Sequence, residues 1–134
     1  MVGHLVAWNY FQTTKTPRNA EFVTEHHKAY GDTKPTADPI EAGYVAVKLW
    51  ARAVEKAGTT EVEAVKRAAA GVTLEAPCGE YQIDGDNQHL YKTARIGRVR
   101  ADGLIDEVSN SGEPIKPDPF LKTYAWAKGL AGGG

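Results

Sequence analysis

The sequence is short of several features that would decide its class at once. It has a single cysteine, Cys78, in 134 residues, which excludes an internal disulfide framework and a cysteine-built zinc site. It has no surplus of either charge: Lys plus Arg is 16, Asp plus Glu is 17, and the formal net charge is −1. That balance excludes a strong global field for nucleic acid or an anionic membrane. No apolar run approaches the roughly 18 residues of a spanning helix, and mean hydropathy is −0.43. No basic stretch precedes Leu5, so no secretory signal is visible, and no internal repeat occurs. What the chain does have is 42% hydrophobic residues, too many for a disordered segment, at the length of one domain. It reads as a soluble globular chain with no nucleic-acid partner and no direct membrane insertion.

Residues 5–11 read as a strand with apolar residues on both faces: Val6, Trp8 and Tyr10 on one, Leu5, Ala7 and Phe11 on the other. Two-sided apolarity marks a strand of a parallel sheet covered by helices. Three helices follow. Thr16 caps the first, Pro17 suits its first turn and Gly31 its end. Asp38-Pro39-Ile40-Glu41 sets a capping residue, a proline and an acid at the start of the second, which Gly58 closes. Thr60-Glu61-Val62-Glu63 starts a third, ended by Gly71. In the second helix Glu41, Lys48, Arg52 and Glu55 fall on one narrow stripe, and nearly everything else is apolar, so it calls for cover on most of its circumference.

Beyond Gly71 the pattern alternates. Residues 80–83 and 90–92 read as strands joined by Asp84-Gly85-Asp86-Asn87-Gln88, and residues 94–100 and 104–108 as a hairpin. The stretch with Pro114, Pro117 and Pro119 is extended, and the tail beyond Gly129 reads as mobile. The order is strand-helix-helix-helix followed by short β-hairpins, an α/β arrangement.

Few residues point to chemistry. Cys78 with His89 would be a nucleophile and base, but Pro77 and Gly79 read as a turn, and no oxyanion donors are apparent. His26 and His27 diverge by about 100° on a helix and cannot chelate one ion together. The 84–88 loop shares the opening of a calcium loop, yet His89 and Arg95 stand where glycine and glutamate are required. Arg95, Arg98 and Arg100 lack a stacking platform and read as a solvated strand face. No P-loop or dinucleotide fingerprint is present. The residues call for no metal and no cofactor. The carboxyl end of the first strand is different, because open α/β sheets bind ligands there. Trp8, Asn9, Tyr10, Gln12 and Thr13 combine aromatic surface with amides and hydroxyls, which suits a small neutral polar ligand; the alternative is that Trp8 and Tyr10 are core residues.

Five motifs in order then resemble one family. They are Gly3-His4-Leu5-Val6-Ala7-Trp8-Asn9-Tyr10-Phe11, Asp38-Pro39-Ile40-Glu41-Ala42, Glu75-Ala76-Pro77, Arg95-Ile96-Gly97 and Glu113-Pro114-Ile115-Lys116-Pro117-Asp118-Pro119. Together they resemble the urea and short-chain-amide binding proteins of the type I periplasmic-binding-protein class, related to branched-chain amino-acid receptors. The resemblance covers about residues 3–120. It implies the C-terminal third of a two-lobed receptor whose lobes are joined by three crossing segments. Residues 1–120 are then the receptor segment, a partial lobe, and 121–134 a tail. It implies binding without catalysis, Trp8 and Tyr10 as cleft residues, and most of the cleft in earlier segments. It implies an ABC permease as partner of the intact periplasmic receptor, and a missing N-terminal part; the apolar faces of the second helix, for their part, call for self-association when the chain is alone. The other branch of the resemblance is a cytosolic amide sensor acting through a protein partner.

Overall fold

Prolines, glycines and side-chain caps set the helices of the computed structural model, which describes residues 1–127. The Thr16 hydroxyl accepts from Asn19 N, Pro17 takes the first position, and α1 runs Pro17–Tyr30 to Gly31. The second helix, α2, spans Asp38–Ala57 and stops at Gly58, whose φ of 68° is left-handed. Asp38 is not its cap, against the expectation. Ala37 holds the extended N-cap position, and Asp38 is the first helical residue, where its charge suits the helix dipole without a capping bond. The third helix, α3, is Val62–Ala69, capped by the Glu61 carboxylate, which accepts from Glu63 N and Ala64 N.

Among the described residues six short strands make two antiparallel sheets. They are β1 (Leu5–Trp8), β2 (Thr73–Ala76), β3 (Gly79–Ile83), β4 (Leu90–Tyr91), β5 (Arg95–Val99) and β6 (Ile105–Asn110). One sheet has the order β1-β5-β6 and the other β2-β3-β4. Both expected hairpins form, β3 with β4 and β5 with β6. The strand β2, too short to stand out in the sequence, pairs with β3. The first strand corrects the sequence reading. It ends at Trp8 and pairs antiparallel with β5, from Leu5↔Arg98 to Trp8↔Arg95, rather than entering a helix-covered parallel sheet. Its two-sided apolarity has two separate causes. Leu5 and Trp8 stay exposed on an outer strand, while Tyr10 and Phe11, past its end, turn into the interior.

That interior gathers Tyr10, Phe22, Val45, Leu49, Val72, Leu74, Tyr81 and Ile83. Tyr10 meets Phe22 edge-on at 6.0 Å between ring centroids, a preferred aromatic geometry. Residues Glu41, Val45, Leu49 and Ala53, at steps of four, form the buried stripe of α2. Glu41 therefore leaves the charged stripe assigned to it by spacing and lies inside. On the far side of α2, Val47 is 65% exposed and Trp50 57%, with Ile40 beside them, so one face of the helix is covered and the other is not. No helix among the described residues is long and apolar enough to cross a membrane.

The chain passes between the β1-β5-β6 sheet and the rest of the fold at residues 9–16 and again at 92–94. The two passages are tied together: Asn9 Nδ2 donates to the Thr93 carbonyl at 3.2 Å, and Arg95 Nε donates to the Asn9 carbonyl at 3.1 Å. Arg95 also donates from Nη2 to the Cys78 carbonyl at 2.5 Å and from Nη1 to both Glu107 oxygens at 2.8 and 2.9 Å. Arg95 is thus buried rather than part of a solvated face; Arg98 and Arg100 are exposed.

Candidate functional site

A cleft of about 480 Å³ opens beside the end of β1. Its sides come from residues 8–12, from the α1–α2 connection and from the β5–β6 turn. Trp8, 42% exposed, gives it an aromatic wall. Tyr10 is 1% exposed and reaches the cleft from the core. Its hydroxyl lies 2.5 Å from Thr36 Oγ1. Gln12 Oε1 accepts from Thr36 N at 2.6 Å and from Thr36 Oγ1 at 3.2 Å. With the Thr36 proton spent on Gln12, the Tyr10 hydroxyl is the donor to Thr36. Gln12 Oε1 then has two donors, which leaves its amide N–H groups as the free polar function of that side chain. Burial pushes the Tyr10 hydroxyl upward, so it stays neutral.

Asp32, Asp38 and Asp102 stand in the same lining with His27, and no lysine or arginine is among the lining residues. Asp102 is paired with Arg100 at 2.7 Å from outside the lining. The structure brings Trp8 and Tyr10, the two residues singled out from sequence, to one cleft in unequal roles: Trp8 offers a ring face, Tyr10 a buried hydroxyl that sets its neighbours. Thr36 was not legible in the sequence. It sits in the irregular connection ahead of α2, where no periodicity marks it.

The other candidates separate. Cys78 is buried, and burial raises its thiol against the nearby Arg95 charge, the opposite of an activated nucleophile. His89 is exposed on the β3–β4 turn. The Asp84 carboxylate accepts from Asp86 N at 2.8 Å and Asn87 N at 3.2 Å, which accounts for the Asp-Gly-Asp-Asn turn by itself. His26 packs on Tyr30 at 4.8 Å between centroids. Among the described residues no group of three or more His, Cys, Asp or Glu gathers to hold a metal ion.

Among the described residues the fold defines a mixed α/β lobe of three α-helices and two small antiparallel sheets, with a cleft at the end of its first strand. Residues 1–125 match the periplasmic binding protein domain, and the chain belongs to that family. Among solved structures it is similar to a solute binding protein of an ABC transporter from Rhodopseudomonas palustris, in complex with 3,4-dihydroxybenzoic acid. That likeness has 24% identity and a TM-score of 0.78, covering 88% of this chain and 32% of the other. It is also similar to a leucine binding protein from Thermotoga maritima, at 23% identity and TM-score 0.69, covering 81% and 31%. A protein named limonene hydroxylase from Geobacillus stearothermophilus is 28% identical over 119 residues, 89% of this chain and 22% of that protein. The chain thus spans about a third of the length of these solved relatives, and less of the last.

Proposed function

We propose that this chain is the C-terminal third of the solute-binding protein of an ABC transporter, a receptor that captures urea or a short-chain amide and performs no chemical step on it. The observation that carries the reading is the lining of the cleft beside β1: an aromatic wall, a fixed network through Tyr10, Thr36 and Gln12, and no lysine or arginine. A buried carboxylate ligand needs a cation or several free N–H donors to replace its water. A small neutral amide needs a flat apolar wall and a few oriented donors and acceptors, which Trp8 and the Gln12 amide supply. Trp8 and Tyr10 are the ligand-binding residues in this reading, Trp8 by its ring and Tyr10 through the groups it fixes.

The uncovered side of α2 supports placement within a longer receptor. Ile40, Val47 and Trp50 form an apolar stripe opposite the core-facing one, and a receptor of the relatives' length has another two thirds of chain to lay over it. In that receptor residues 1–120 are the C-terminal segment and 121–134 its tail. The intact protein works in the periplasm and delivers its ligand to a membrane permease.

Calorimetric titration of the 134-residue chain with urea and acetamide is the test. Weak heats without saturation are expected, because most cleft groups belong to the preceding segment; tight urea binding by the chain alone overturns the fragment reading. The coding sequence upstream is expected to supply the rest of the receptor behind a signal peptide. In that joined receptor Trp8→Ala is expected to weaken urea binding about tenfold, ~1.4 kcal/mol.

A further inference from the structure

Outside the cleft, the group with the least support is the carboxyl of Glu41. Its side chain is 0% exposed, and neither oxygen has a hydrogen-bond partner among the described residues. A buried carboxylate in that condition is strongly disfavoured and holds either a proton or a cation. Few groups face it. Tyr10 comes from the segment after β1, Cys78 from the β2–β3 turn, Tyr81 from β3, Asp38 from its own helix and Lys92 from the connection between β4 and β5. All except Lys92 are acids, so Lys92 alone can balance a negative charge there. Its Nζ lies 3.8 Å from Glu41 Oε2, beyond hydrogen-bond length, and 4.7 Å from the centroid of the Tyr81 ring. Lys92 also borders a groove of about 590 Å³ with His89, Ile115 and Tyr124, which gives its ammonium an outlet to water.

Lys92 occupies a junction. Residues 92–94 return the chain from the β2-β3-β4 sheet to the β1-β5-β6 sheet, and Lys92 forms an antiparallel bridge to Ile115. Its ammonium therefore ties this connection to the first turn of α2.

We propose that Glu41 is a proton-binding site that sets how firmly α2 holds the connection between the two sheets. With Glu41 ionised, Lys92 stays beside it as counter-ion over the Tyr81 ring. On taking up one proton, the carboxyl becomes a donor and gives its O–H to the Tyr81 hydroxyl oxygen, itself buried without a partner. Lys92 then swings into the groove, keeps its charge and is solvated there. Burial supports this by pushing the Glu41 carboxyl above the usual carboxylate range, with the Lys92 charge and the facing Tyr81 hydroxyl opposing. A raised value means the folded chain binds the proton more tightly than the unfolded chain. The site therefore contributes stability at low pH that is lost as pH rises through the folded value.

The experiment is thermal unfolding of the 134-residue chain across a pH series, with Glu41→Gln and Lys92→Met beside the unsubstituted chain. Relative to Glu41→Gln, the unsubstituted chain is expected to lose midpoint temperature as pH rises above the ordinary glutamate range. Lys92→Met, which removes the counter-ion, is expected to move that loss to higher pH. A carboxyl NMR titration of Glu41 in the unsubstituted chain serves if a variant does not fold. It is expected above the ordinary glutamate value, with the Lys92 side-chain resonances shifting over the same pH interval. An unchanged slope in Glu41→Gln, a Lys92→Met shift to lower pH, or Glu41 titrating at or below its ordinary value overturns the proposal.

Discussion

At the scale of single residues, Gly97 shows how closely β5 is approached from both sides. A Cβ at this position would overlap Ile105 Cγ2 and lie 2.8 Å from two atoms of the Phe11 ring. Both neighbours are fixed, Phe11 by burial and Ile105 by the β6 ladder. Gly97→Ala is expected to cost about 1–3 kcal/mol by overpacking, read as a lower denaturant midpoint. Arg95 has a different part, joining three segments through their carbonyls and Glu107. Burial works to raise the Glu107 carboxyl, but hydrogen bonds from Asn110 and Thr14 and the Arg95 charge outweigh it and hold it below its ordinary value. A lowered carboxyl contributes stability above its unfolded value that is lost as pH falls through the folded one. Glu107→Gln is thus expected to flatten the acid limb of a pH–stability curve, the opposite limb from the one assigned to Glu41. At Cys78, burial predicts that a thiol reagent reacts far more slowly with the native chain than with a free thiol, and at the free-thiol rate in denaturant. Fast native labelling would reopen the nucleophile reading.

At the scale of elements, the Thr16 hydroxyl serves two segments at once. It accepts from Asn19 N at 2.9 Å and donates to the Pro77 carbonyl at 2.5 Å, so the start of α1 is bonded to the β2–β3 turn. Thr16→Ala is expected to lower stability by about 1–2 kcal/mol in a chemical melt, and Thr16→Ser to recover most of it. This cap was legible because Thr-Pro carries a local rule, as were Gly31 and Gly58. The start of α2 lies one position earlier than its sequence suggests: Asp-Pro looks like cap and first residue, but the extended backbone belongs to Ala37. The sheets were legible as hairpins and not as sheets. β5 with β6 closes through a short turn, whereas nothing local announces that β1 joins β5. The burial of Glu41 is hidden from the sequence for the same reason. Helical spacing put it with Lys48 and Arg52, and its balancing partner Lys92 lies on a later strand connection. In the cleft, Trp8 and Tyr10 were visible as aromatics at a strand end, while Thr36 became visible only through the bonds that reach it.

At the scale of the whole molecule, α2 has two apolar sides and the described residues cover one. The bare side is expected to draw copies together when the chain is studied alone, seen as concentration-dependent sedimentation. Trp50→Glu is expected to return the chain toward monomer without lowering its melting temperature, because Trp50 lies outside the core. A wild-type monomer at high concentration would count against a larger receptor covering this face. The pairing of β1 with β5 has a further consequence, which concerns time rather than shape. A ribosome releases Leu5–Trp8 before any helix of this segment, yet the partner strand Arg95–Val99 emerges only after α1, α2, α3 and β2 to β4. The strand made earliest is thus among the last to be fixed, its edge bare while the helical layer assembles. In this fold the order of synthesis and the order of closure run in opposite directions.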